Sequence, residues 1–147
     1  MGAEIHYSTE QVCERLLLTR RNIQWWDETG LINPGKDDRN CRTFSPALFR
    51  IMTIFCLWRK KGLKLRQIRK LKQKLHYALN GWPGDQNIFI VTDGVDVRAT
   101  TTVRTCLTFA LEASRAVTVV YLSPNEPSVV FCGRIKDPMN KNVDRVK

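Results

Sequence analysis

The alternation of apolar and polar positions breaks the chain into short elements. "YSTEQVCERLL", from Tyr7, offers Ser8 or Thr9 as an N-cap, with Gln11 three residues after Ser8, a capping-box pattern that satisfies otherwise orphan amide donors. Val12, Leu16 and Cys13 then share one face, which predicts a short first helix. A second helix is predicted from Thr19, an N-cap residue, through "RRNIQWWDET" to Gly30, which can adopt the left-handed conformation that closes helices. Ile23 and Trp26, three apart, point to a core. Arg20, Arg21, Gln24 and Trp25 lie off that stripe, so one of two adjacent tryptophans packs and the other stays at the surface.

"LINPGKDDRNCRTFS" follows, with polar residues between two short extended pieces. It reads as a β-hairpin tipped by "GKDDRN", with Lys36, Arg39 and Arg42 projecting outward. Ser45 then caps a helix whose first turn accepts Pro46, because the missing amide costs nothing there. Leu48, Ile51, Met52, Phe55 and Trp58 form a wide apolar stripe that stops at Gly62. Leu65, Ile68, Leu71 or Lys72, Leu75 and Leu79 repeat at helical spacing, with Lys64, Arg66, Arg69, Lys70, Lys72 and Lys74 around the remaining surface. "NGWPGDQN", residues 80–87, ends any helix and reads as a linker.

Beyond the linker the period changes. "NIFIVTDGVDVRAT" alternates on both sides of Asp93-Gly94, a dipeptide suited to a type I′ hairpin turn. Val103, Leu107, Ala110 and Leu111 recur at helical spacing, although the β-branched start of that segment also fits a strand. "AVTVVYL" and "SVVFCGRI" read as two further strands around the turn "SPNEP". The expected fold class is α+β: a mainly helical domain with a β-hairpin over residues 5–79, a small ββαββ-like dimerisation or sensor domain over 86–135, and a mobile tail over 136–147.

Composition narrows the function. A chain of 147 residues, 43% of them apolar, has enough core for one domain or two small ones. No run approaches the roughly 18 apolar residues of a membrane span, and the first residues lack a secretory pattern. A soluble, cytoplasmic, nucleoid-associated protein is expected. Cys13, Cys41, Cys56, Cys106 and Cys132 are scattered, as are His6 and His76, so no metal or cofactor is expected. Charge is uneven: residues 1–80 hold 16 Lys and Arg against 7 Asp and Glu, and residues 81–147 hold 8 against 7. That asymmetry is the footprint of a polyanion-binding module. An enzyme would need a site such as Asp85, Asp93 and Asp96 around a divalent cation, but acidic residues at hairpin turns are chiefly turn formers, and no nucleophile constellation or phosphate loop is present.

Helix, tight turn, helix, basic hairpin, helix, helix is the order of a winged helix-turn-helix, whose second helix fits the major groove of double-stranded DNA. From about Tyr7 to Leu71 the sequence resembles the DNA-binding domain of the MerR family of transcription regulators. "QWWDETGLI", Gln24 to Ile32, stands where that family has a basic-aromatic-aromatic-acidic signature followed by Gly-Leu. "RTFSPALF", Arg42 to Phe49, and "KKGLKLRQI", Lys60 to Ile68, supply two further anchors in the same register.

The resemblance implies a sequence-specific transcription regulator. Arg20, Arg21, Gln24 and Trp25 would face the groove, and Lys36, Arg39 and Arg42 would serve the wing. Double-stranded DNA, a second copy of the chain and RNA polymerase are the implied partners. The chain departs from the family in four places, the first being Trp25 and Trp26 where tyrosine or phenylalanine is usual. Gln24 replaces an arginine, the turn "RLLLT" has no glycine, and the expected long coiled-coil helix is replaced by residues 80–87, so metal sensing is not implied. The C-terminal domain is then expected to dimerise through a strand edge. The same reading head also serves recombination, phage packaging and chromosome organisation, which is the alternative to transcription.

Overall fold

A computed structural model describes residues 6–80, 87–112 and 117–122 together with the backbone of 129–135. The expected linker and tail fall almost wholly outside these residues. By its contacts the chain divides into two units at Cys56/Leu57, within one helix. The fourth helix therefore falls in the same unit as the C-terminal sheet.

In the first unit, β1 (Tyr7–Ser8) leads directly into α1 (Thr9–Leu16). Ser8 closes a capping box: its hydroxyl accepts from the Gln11 amide at 3.2 Å, and the Gln11 side chain accepts from the Ser8 amide at 2.8 Å. α2 (Arg20–Glu28) starts on a second such box. Thr19 and Asn22 exchange amide-to-side-chain bonds of 3.0 Å in each direction. Between the helices Leu17 takes the left-handed conformation, with φ 56° and 85% of its surface exposed. The missing glycine is thus replaced by a leucine in the glycine conformation, at the steric cost an L-residue incurs there. At the far end of α2, Gly30 supplies φ 79°.

β2 (Gly35–Lys36) and β3 (Arg42–Phe44) form the expected hairpin, with Lys36 opposite Arg42. The sheet has a third strand that hydropathy does not announce: β1 pairs with β3, Tyr7 opposite Phe44, giving the order β1-β3-β2. Two residues carry no readable alternation, which is why only the assembled sheet reveals them. α3 (Pro46–Lys60) begins at Ser45, whose hydroxyl accepts from the Leu48 amide at 3.1 Å. Val12, Ile23, Trp26, Phe44, Met52 and Phe55 are buried in this unit, and the Trp26 and Phe55 rings meet edge to face at 6.3 Å.

In the second unit, α4 (Leu65–Leu79) follows Gly62, whose φ is 102°. Ile68, Leu71 and Leu75 are its buried stripe. β4 (Ile88–Thr92), β5 (Val97–Thr100), α5 (Val103–Glu112), β6 (Val117–Leu122) and β7 (Val129–Ile135) make the ββαββ unit, an antiparallel sheet ordered β5-β4-β6-β7. Segment 103–112 is therefore a helix. The β4–β5 hairpin is present, but Thr92 pairs with Val97, so the connection has four residues instead of a two-residue Asp-Gly turn. Asp93 organises it by accepting from the Val95 and Asp96 amides at 2.9 and 2.8 Å, while Gly94 takes φ 92°.

α5 covers one sheet face, where Val91, Val117 and Val119 pack with Cys106 and Ala110. The alternate residues Ile88, Ile90, Val120 and Leu122 are buried too, so β4 and β6 are covered on both faces. α4 lies against β5, and the Lys74 ammonium donates to the Val95 carbonyl at 2.6 Å and the Asp96 carboxylate at 2.9 Å. Of Val103, Leu107, Ala110 and Leu111, which recur at helical spacing, only Ala110 is buried. The periodicity marks an apolar surface on α5, whereas the sheet selects the neighbouring seam of Cys106 and Ala110 to bury.

Candidate nucleic-acid interface

The polar side of α2 carries the first group of expected contacts. Burial of Ile23 and Trp26 fixes the helix rotation and leaves Arg20, Arg21, Gln24 and Trp25 exposed. The two tryptophans separate as their positions require: Trp26 is 4% exposed and Trp25 is 45% exposed. Thr29 reinforces the end of the helix, its hydroxyl donating to the Trp25 carbonyl at 2.8 Å.

Several of these side chains have acidic neighbours. The Arg20 guanidinium pairs with Glu10 across the α1–α2 turn. The Glu10 carboxyl is held below its ordinary value by its own backbone amide first and by Arg20 second. Gln24 donates to the Glu28 carboxylate one turn away at 3.0 Å. Among the described residues Arg21 and Lys36 are exposed and form no ion pair.

The wing turn is built on Asp37. Its carboxylate accepts from the Arg39 and Cys41 amides, both at 2.9 Å, and Asn40 closes the loop with φ 65°. The Cys41 amide bond is the main cause that lowers the Asp37 carboxyl below its ordinary value. Lys36 and Arg39 are exposed at this tip, as expected.

Arg42 differs from the expectation. It does not project outward: its Nε donates to the Asp27 carboxylate at 2.7 Å, and the two side chains are only 30% and 25% exposed. The reason lies in strand register, because a residue opposite Lys36 at the base of the hairpin lies beside the end of α2. This contact joins the acidic position of "QWWDETGLI" to the arginine of "RTFSPALF". Fifteen residues separate the two, so no local pattern announces the pair.

The fold gathers Arg20, Lys36, Arg39 and Arg42 around one cleft of about 560 Å³, together with Glu10 and Asp37. Arg21, Gln24 and Trp25 are not part of its lining. The cleft lies between the wing and the starts of α1 and α2, and the carboxylates of Glu10 and Asp37 offset part of its positive charge.

Positive charge proves to be distributed otherwise than a basic reading head requires. Residues 1–56 hold seven Lys and Arg against seven Asp and Glu, whereas residues 57–80 hold nine against none. The whole excess of the amino-terminal half thus belongs to the end of α3 and to α4, where Arg59, Lys60, Lys64, Arg66, Arg69 and Lys70 are exposed. The signal was present in the sequence, and a division at residue 80 concealed it.

No helix among the described residues is long and apolar enough to cross a membrane. Nor do three His, Cys, Asp or Glu side chains gather there as a metal site needs. Asp93 and Asp96, two members of the carboxylate set considered above, are engaged by turn amides and by Lys74, while Asp85 lies outside the described residues.

Among curated proteins a sequence search finds no match. Among solved structures the chain is similar to the crystal structure of HiNmlR, a MerR family regulator lacking the sensor domain, bound to promoter DNA. The two are 19% identical over 50% of this chain and 56% of that one, with a TM-score of 0.46. The family model of the MerR HTH family regulatory protein matches residues 7–75. Residues 7–75 are accordingly a MerR-type winged helix-turn-helix, a reading head of DNA-binding regulators.

Proposed function

We propose that the protein is a sequence-specific, double-stranded-DNA-binding transcription regulator that acts as a homodimer. The observation that carries this reading is the exposed row Arg20, Arg21, Gln24 and Trp25 on the helix that a winged helix-turn-helix inserts into the major groove. Arginine reads guanine bidentately and glutamine reads adenine, so the row has the chemistry of base recognition. Lys36 and Arg39 on the wing, with Arg20 and Arg42 in the adjoining cleft, suit the phosphate backbone. The exposed Arg59, Lys60, Lys64, Arg66, Arg69 and Lys70 add a sequence-independent attraction for polyanions. The small C-terminal unit joins two copies, so that two heads engage one operator and multiply affinity.

Recovery of chain-bound DNA across the genome tests the reading. Discrete promoter sites are expected, whereas attachment-site or uniform occupancy would place the protein in recombination, packaging or chromosome organisation. In a fluorescence titration with a recovered site, Arg20→Ala with Arg21→Ala is expected to weaken binding by more than about tenfold. The same pair is expected to flatten the dependence of affinity on salt. Unchanged affinity and slope would remove both arginines from the interface.

A further inference from the structure

Three side chains of α5 stand apart from the core it covers. Val103 is 55% exposed, Leu107 43% and Leu111 50%, and they recur every fourth residue along one side of a ten-residue helix. Side chains at that spacing stack into one strip about 12 Å long. It lies beside the buried seam of Cys106 and Ala110, so α5 has two apolar faces while its own sheet uses one. Single exposed leucines need no explanation, but an aligned row on one short helix does.

Two polar residues say what fits the strip. Arg104 near its start and Glu112 at its end are both exposed, and no ion pair is recorded for either among the described residues. Eight residues put them about 12 Å apart along the axis, too far to meet within one helix. The strip is also symmetric about Leu107. A two-fold axis beside Leu107 sets two copies of α5 antiparallel, with Val103 of one opposite Leu111 of the other. Each Arg104 then lies on the same flank as the other copy's Glu112 and about 3 Å from it along the axis, within reach of a guanidinium. A surface whose apolar row and end charges are both complementary to themselves under a two-fold rotation is the mark of an isologous contact.

We infer that the Val103–Leu107–Leu111 face of α5 is the surface through which two copies of this chain associate. The inference rests on the homodimer reading above and replaces a sheet edge with a helix face as the means. One short helix per copy buries less than the roughly 1,200 Å² of a stable complex. Free association is therefore micromolar and is completed when two heads share one duplex.

Sedimentation of the full chain, from about 1 to about 200 µM, is the test. The chain is expected to show a reversible monomer–dimer equilibrium. Leu107→Asp, which brings two carboxylates together at the axis, raises the dissociation constant at least about 30-fold with an unchanged far-ultraviolet circular dichroism spectrum. Arg104→Glu and Glu112→Arg each weaken the dimer about three- to tenfold, and the two together restore it to within about threefold of the parent. That restoration cannot arise from misfolding. A Leu107→Asp chain that dimerises like the parent, or a double charge reversal that fails to restore, would overturn the α5 surface and leave the homodimer reading intact. A parent chain that stays monomeric throughout overturns both.

Discussion

The contact between Arg42 and Asp27 gives a quantitative test, because it ties the wing to the end of α2. At 2.7 Å it is a charge-assisted hydrogen bond, and its side chains are 30% and 25% exposed, between the surface and buried regimes. Exposed pairs couple by about 0.2–1 kcal/mol, and removing one partner of a buried pair costs about 3–5 kcal/mol. For this half-buried pair a coupling of about 1–1.5 kcal/mol is expected between those limits. Arg42→Ala, Asp27→Ala and the double variant close a thermodynamic cycle that urea denaturation can read. Each single change should cost more than its share, and the double change less than the sum of the two. If the wing is oriented through this pair, Asp27→Ala should also weaken DNA binding although it removes a negative charge from a nucleic-acid surface. A coupling within about 0.3 kcal/mol of zero, or tighter DNA binding by Asp27→Ala, would refute this reasoning.

Three other outcomes follow from positions described above. Leu17→Gly is expected to stabilise the first unit by about 0.5–1 kcal/mol in urea melts, since φ 56° penalises leucine and its 85% exposed side chain loses little burial. Trp26→Ala should cost about 3–5 kcal/mol of stability, whereas Trp25→Ala should leave the urea midpoint nearly unchanged and reduce DNA affinity. Partial desolvation of the exposed His76, followed by the charge of Lys72, lowers its pKa from the ordinary 6.5, so the unfolded chain takes up the proton first as pH falls. The second unit should therefore lose stability as pH drops below 6.5 through the lower folded value, and His76→Gln should flatten that part of the pH profile.

Local chemistry was written plainly in the amino acids. Ser8 with Gln11, Thr19 before α2, Gly30, Pro46 and Gly62 mark helix ends through interactions within a few residues, so each can be read without knowing the fold. Ile23 against Trp25 likewise follows from a 3.6-residue period, which is why the outward row of α2 was legible in advance. Chemistry at short range also made the MerR-type head recognisable, because its anchors are runs of adjacent residues.

Tertiary structure decided everything that depends on a distant partner. β1 exists because β3 accepts it, and Arg42 turns inward because Asp27, fifteen residues earlier, is brought beside it. Leu17 holds the left-handed turn that glycine usually supplies, which no propensity would assign to a leucine. Most telling is α5, where periodicity detects apolar faces but only the sheet chooses which of them to bury. Sequence fixes what a side chain can do within one turn of itself, and packing decides which of several permitted surfaces is used, since burial is a property of the neighbour as much as of the residue.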